Sequence, residues 1–187
     1  MKVYRSLEEF NRLEKAIVTT GTFDGVHFGH QKILNRLEEL AKQHHGESVI
    51  ITFFPHPRLV LFPEDNDLKL INTLDEKIEL LEKSGIDHLI IIPFTKEFSR
   101  LSSLEFIQQI LVEKIGTKKL VIGYDHHFGK NREGSLEHLK HYGPSYGFEV
   151  EEIPKQDIND VGVSSTKIRT ALAQHHIAIA NQYLGYP

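Results

Sequence analysis

Two short segments concentrate side chains suited to handling phosphate. The first runs Thr20-Gly21-Thr22-Phe23-Asp24-Gly25-Val26-His27-Phe28-Gly29-His30, with three glycines spaced four apart and an H-x-G-H sequence at its end. It is not G-x-G-x-x-G, and no glycine-lysine-serine/threonine follows, so the dinucleotide fingerprint and the P-loop are both absent. A helix opening at His27 to His30 would still make an anion site. Its free N–H groups and positive dipole end favour a phosphate, Gly29 lets a ligand approach the backbone, and the dipole lowers the histidine pKa values. Two neutral imidazoles would then grip one phosphate. Plainer readings share the same residues: histidines that solvate a helix start, or a structural metal on Asp24, His27 and His30, with His126 and His127 available to complete it.

The second segment is Val163-Ser164-Ser165-Thr166-Lys167-Ile168-Arg169. Ser164 and Ser165 are good N-cap residues, which places Lys167 and Arg169 in or near a first helical turn, where cations meet the positive dipole end. A bound anion reverses the sign of that term, and hydroxyls with N–H groups and a guanidinium suit a polyphosphate. An ordinary capped helix is the alternative. Thr52-Phe53-Phe54-Pro55-His56-Pro57 sets a histidine between two prolines, and Gly123 to Gly134 mixes glycines, charges and aromatics around Asp125, His126, His127 and Phe128. The first is equally well a turn, whereas a plain surface loop is rarely as aromatic as the second.

The elements that must position these loops read as an alternation. Short apolar runs at Ala16–Thr20, Val49–Phe54, His88–Ile92, Leu120–Ile122 and Phe148–Ile153 are the expected strands. Helical periodicity fills the gaps, from about Gly29 to His44, after the capping-box spacings Thr73 to Glu76 and Ser102 to Glu105, and weakly before Pro144. Two short helices, Thr166–Ala173 and Ile177–Leu184, end the chain. Continuous rather than alternating apolar strands separated by helices predict a doubly wound α/β fold, a parallel sheet of about five strands covered on both faces. Such sheets bind ligands beyond the carboxyl ends of their strands, where the strand order reverses.

The 187 residues have 40% apolar side chains, no internal repeat and no linker-like tract, and are expected to form one domain, residues 1–187. A net charge of −4 argues against nucleic-acid binding and against a polybasic membrane clamp. The absence of cysteine excludes disulfides, thiolate zinc sites and cysteine nucleophiles. No secretion signal and no apolar run of spanning length is found, so a cytoplasmic protein is expected.

Taken together and in order, G-T-F-D-G-V-H-F-G-H-Q (Gly21 to Gln31), T-F-F-P-H-P (Thr52 to Pro57), G-Y-D-H-H-F-G (Gly123 to Gly129) and S-S-T-K-I-R (Ser164 to Arg169) resemble the FMN adenylyltransferase module of prokaryotic bifunctional FAD synthetases. That module is a branch of the HxGH nucleotidyltransferase superfamily. The resemblance implies transfer of AMP from ATP to FMN, giving FAD and pyrophosphate with Mg2+. It implies that His27, His30 and Arg169 are catalytic and that Gly21, Thr22, Phe23, Asp24, Gly29, Ser165, Thr166 and Lys167 bind ATP. Pro55, His56, Pro57, Asp125 and Phe128 would face FMN, and the magnesium ligands stay unassigned. His126 stands where the family usually has an aromatic residue. The chain reaches Leu184-Gly185-Tyr186-Pro187 with no P-T-A-N kinase motif, so riboflavin phosphorylation is not expected of it. Two alternatives stand: a superfamily relative with another phosphorylated acceptor, and a non-catalytic flavin or nucleotide-binding regulator.

Overall fold

The computed structural model describes residues 1–64, 67–124, 126–154, 157–158 and 161–187, with Asp157, Ile158 and Val161 described by backbone alone. Among them, strands Lys2–Tyr4 (β1), Ala16–Thr20 (β2), Glu47–Phe54 (β3), His88–Pro93 (β4), Thr117–Gly123 (β5) and Glu149–Ile153 (β6) form a parallel sheet in the order β1-β4-β3-β2-β5-β6. The expected fold class is the observed one. The chain starts the winding at β2, moves outward through β3 and β4, then returns to the other side of β2 with β5 and β6. The strand order therefore reverses at β2, and the loop after Thr20 opens at that switch point.

Successive residues of each inner strand feed different cores. Val18, Ile51, Ile90 and Leu120 pack on one face with Phe106, Ile107 and Leu111, whereas Ile17, Ile50, Leu89 and Val121 pack on the other with Leu34, Leu37 and Leu81. Burial on both faces is why these strands read as unbroken apolar runs. The edges differ. β6 carries Glu149, Glu151 and Glu152, and the three-residue β1 begins at Lys2, which suits strands that must not pair further. β1 escaped the sequence reading because three residues set no period, and the sheet gains a sixth strand from it. The antiparallel pair Asp157–Ile158 (β7) and Val161–Gly162 (β8) is too short for the same reason.

Helix Phe28–His44 (α1) follows β2, and Pro57–Leu61 (α2) with Leu74–Glu82 (α3) lie between β3 and β4. Both predicted capping boxes form, at Thr73 with Glu76 and at Ser102 with Glu105. The second opens a helix at Ser103–Glu105 (α4) whose turns widen over Phe106–Ile115 before Gly116 closes it at φ +81°. Helix Leu136–Tyr146 (α5) runs through Pro144, which lies within its last turn. The final helices, Ser165–Ala173 (α6) and Ile177–Leu184 (α7), share a small core of Val163, Ile168, Ala171, Ala180 and Leu184 with Phe28 and Ile71. That core fastens the C-terminal helices to the first turn of α1. Gln31 reinforces the join by donating to the Leu184 and Val26 carbonyls at 2.9 and 3.1 Å.

Candidate active site

The loop between β2 and α1 is held in an unusual backbone path. Phe23, Gly25 and Val26 all have positive φ, at 49°, 84° and 35°. Gly25 tolerates this, but a β-branched valine there is strained, and such strain persists only where surroundings fix it. Here the Val26 N–H donates to the Phe23 carbonyl, and the Tyr186 hydroxyl donates to the Gly25 carbonyl at 2.6 Å. Phe23 is turned inward at 2% exposure, its ring against Gly21 and 5.0 Å from the His30 ring centroid.

This path delivers the histidines. His27 is the N-cap of α1, and its Nδ1 accepts from the His30 backbone N–H at 3.4 Å, which leaves its proton on Nε2. The two rings stack at 3.7 Å between centroids with 15° between planes. His27 is pushed down to about 4, first by burial and then by the nearby Arg169 charge. His30 is held well below the ordinary imidazole range by burial, by His27 and by Lys77. Both are neutral at pH 7, as the spacing suggested, but loss of solvent rather than the helix dipole is the main cause. The His30 Nδ1 is enclosed and has no hydrogen-bond partner. A buried imidazole nitrogen without a partner is costly, and a ligand oxygen would satisfy it.

Helix α6 supplies the cation. Arg169 Nη1 lies 2.5 Å from the Asp24 carboxylate, whose side chain is 3% exposed, and the other Asp24 oxygen accepts from the Ile71 N–H at 2.9 Å. The Ser165 hydroxyl donates to the Asp24 carbonyl at 2.9 Å. Segments more than a hundred residues apart are thus locked together by one buried carboxylate. Both Asp24 carboxylate oxygens are engaged, one by Arg169 and the other by the Ile71 N–H. Ser164 caps α6 through the Lys167 N–H, while Thr166 and Lys167 stay exposed beside Arg169.

His56 caps α2 by accepting from the Arg58 N–H, with Pro57 at the first helical position and Pro55 exposed. Burial lowers its pKa, Asp24 raises it, and Lys77, Arg169 and Arg58 lower it. The loop after β3 therefore sits in the field of the same charges as the histidine pair. Lys77 was missed by the sequence reading: it is 6% exposed on α3, and its ammonium donates to the Thr22 carbonyl at 2.8 Å. Ile71, Asn72 and Tyr186, which brace the first loop, carry no sequence signal at all.

The loop after β5 is anchored to the core. Asp125 lies outside the described residues. Phe128 pairs with Gly134 as an antiparallel bridge, and its ring is 9% exposed in the core beside Phe106, 5.5 Å between centroids. An aromatic ring next to a covered sheet gains from burial, which holds Phe128 against the core behind this loop. His126 stacks on Phe128 and is pushed down to about 4 by burial, with its Nε2 unpartnered. The loop is also tied down. Lys130 N–H donates to the Leu101 carbonyl at 2.7 Å, Glu133 accepts from the Ser103 N–H at 2.8 Å, and Gly129 lies so near the Ser103 backbone that a side chain would not fit. Among the described residues no three histidine, aspartate or glutamate side chains are grouped to hold a metal ion.

Comparison with known proteins identifies the family. The family model described as FAD synthetase matches residues 9–167. Bifunctional riboflavin kinase/FMN adenylyltransferases from Buchnera aphidicola subsp. Schizaphis graminum and Listeria monocytogenes are 36% and 35% identical, over 100% and 96% of this chain. That from Escherichia coli K12 is 33% identical over 100% of it. The chain spans 60%, 56% and 60% of those relatives' lengths. Among solved structures, one titled a macrolide-efflux protein from Streptococcus pneumoniae superposes with a TM-score of 0.88 at 27% identity, covering 99% of this chain and 61% of that one. A pantoate-beta-alanine ligase from Francisella tularensis, complexed with beta-gamma ATP and beta-alanine, shares the fold at a TM-score of 0.59 and 16% identity, covering 99% of this chain and 78% of its own.

Proposed function

Because this chain belongs to the FAD synthetase family, we propose that it transfers the adenylyl group of ATP to the phosphate of FMN, releasing pyrophosphate and FAD. Residues 1–187 act in this reading as one nucleotidyltransferase unit. The observation that carries it is the convergence, at the switch point of the sheet, of two neutral stacked imidazoles, one with an unpartnered buried nitrogen, and a guanidinium aimed by a buried carboxylate.

An FMN phosphate oxygen attacks the α-phosphorus of ATP, the new P–O–P bond forms, and the bond to the β-phosphate oxygen breaks with its electron pair leaving on pyrophosphate. The attacking phosphate is already anionic, so no base or covalent enzyme intermediate is required. Catalysis reduces to in-line positioning and stabilisation of charge. His27 and His30 donate to the α-phosphate, and Arg169 with Ser165, Thr166 and Lys167 holds the β- and γ-phosphates. Gly21, Thr22 and Gly29 let the triphosphate approach the backbone, with Phe23 and Asp24 setting the loop from beneath. Pro55, His56 and Pro57 form the flavin side, and Phe128 supports it from behind.

Mg2+ neutralises phosphate charge when it accompanies ATP. The donor set fits delivery by the nucleotide: the Asp24 carboxylate is engaged by Arg169, and Mg2+ commonly keeps waters and binds through substrate phosphates. ATP, FMN and Mg2+ are small ligands of the cytoplasm, where we place the reaction. Among the described residues no helix is long and apolar enough to cross a membrane. The test is incubation with ATP, FMN and Mg2+ and chromatographic separation of products. FAD with equimolar pyrophosphate is expected. Binding without turnover would identify a regulator instead, and product only with another phosphorylated acceptor would identify a different nucleotidyltransferase.

A further inference from the structure

Helix α3 presents Leu74, Lys77, Ile78 and Leu81 toward the sheet, and Leu74, Ile78 and Leu81 pack in the core on that face. Lys77 thus occupies a position on the apolar stripe of an amphipathic helix. It is 6% exposed, and among the described residues no carboxylate pairs with it. Its one recorded partner is neutral, the Thr22 carbonyl. Burial lowers its pKa and the Asp24 charge opposes that, but both Asp24 oxygens are already engaged, by Arg169 and the Ile71 N–H. A lysine so enclosed costs several kcal/mol of lost hydration unless a counter-charge is supplied.

The surroundings indicate where that counter-charge comes from. Thr22 belongs to the loop after β2, and its carbonyl also accepts from the Thr52 hydroxyl at 3.3 Å, near the end of β3. Lys77 therefore stands at the join of the two loops that, in the reading above, carry the two substrates. Its charge acts on His30 from one of them and on His56 from the other. Capping at Thr73 and Glu76 fixes the start of α3, so the base of this side chain is rigidly placed.

We propose that Lys77 is a catalytic cation lying between the two reacting phosphates, where it offsets their mutual repulsion as the FMN oxygen closes on the α-phosphorus. This rests on the adenylyl-transfer reading. Two anions must come within bonding distance in that step, and His27 and His30 are neutral, so a positive charge shared by both phosphates stabilises the transition state more than either separate substrate. No proton leaves the lysine and no bond to it forms.

The test compares Lys77→Gln with Lys77→Arg and Lys77→Met in the full chain, measuring FAD formation with ATP, FMN and Mg2+ together with Tm of the unliganded proteins. Glutamine keeps a donor for the Thr22 carbonyl but carries no charge. It is expected to lower kcat about 10²-fold with smaller changes in either KM, while Tm stays level or rises; arginine restores part of kcat. Methionine should match glutamine in activity, since it too lacks charge. Turnover of Lys77→Gln within about threefold of wild type overturns the proposal, as does full kcat with a lowered Tm, which is the mark of a strut for Thr22. Wild-type protein that forms no FAD overturns the parent reading and this proposal together; wild-type FAD synthesis beside an active Lys77→Gln overturns this one alone.

Discussion

Acidification should loosen this protein through its own active site. His27 is 6% exposed and has a folded-state pKa of about 4, against an ordinary value of 6.5 in the unfolded chain. Between those values the unfolded state binds more protons, so stability falls as pH drops from 6.5 toward 4 and is fully retained above that window. For His27 alone the loss is about 2 kcal/mol at pH 5 and approaches about 3.5 kcal/mol below pH 4, at roughly 1.4 kcal/mol per pKa unit. In a chain of this size 2 kcal/mol corresponds to a Tm drop of about 4–8 °C. The enclosed His30 and His126 act in the same direction. The informative perturbation is His27→Asn, because asparagine can still cap α1 and cannot take up the proton. Denaturant or thermal unfolding at pH 7, 6, 5.5 and 5 should show a shallower loss in the variant, the difference reaching about 2 kcal/mol at pH 5. Parallel curves for the two proteins would refute the claim that a neutral, buried His27 is maintained against solvent.

Other consequences are as direct. His30→Ala should lower kcat about 10²- to 10³-fold with the fold intact by circular dichroism, the loss typical of one preorganised donor; wild-type turnover would remove His30 from the reaction. Asp24→Asn breaks the buried pair with Arg169 and should cost about 3 kcal/mol in unfolding experiments while raising KM for ATP, and combination with Arg169→Met should be far from additive. Gly134→Ala places a methyl 2.7 Å from the Phe128 ring, so about 1–3 kcal/mol of stability and a raised KM for FMN, with KM for ATP unchanged, are expected from unfolding and steady-state kinetics.

The order of the longer elements was legible because the physics that sets it is local. Apolar runs such as Val49 to Phe54, capping boxes at Thr73 and Ser102, and glycines at helix ends are each decided within a few residues, and all of them form. The histidine pair and the serine-rich cap of α6 were legible too, since their spacing is meaningful only beside a helix start. What stayed hidden depends on neighbours distant in the chain. No spacing shows that Asp24 would spend its carboxylate on Arg169, that Phe128 would turn into the core, or that a lysine on an apolar stripe would reach Thr22. Desolvation, which sets the charge states of His27 and His30, is likewise a property of packed volume rather than of sequence order. The sequence by itself determined which loops gather histidines, hydroxyls and cations; the tertiary structure decided which of those side chains meet, which hold the others in place, and which are charged, because only packing sets distance and access to water.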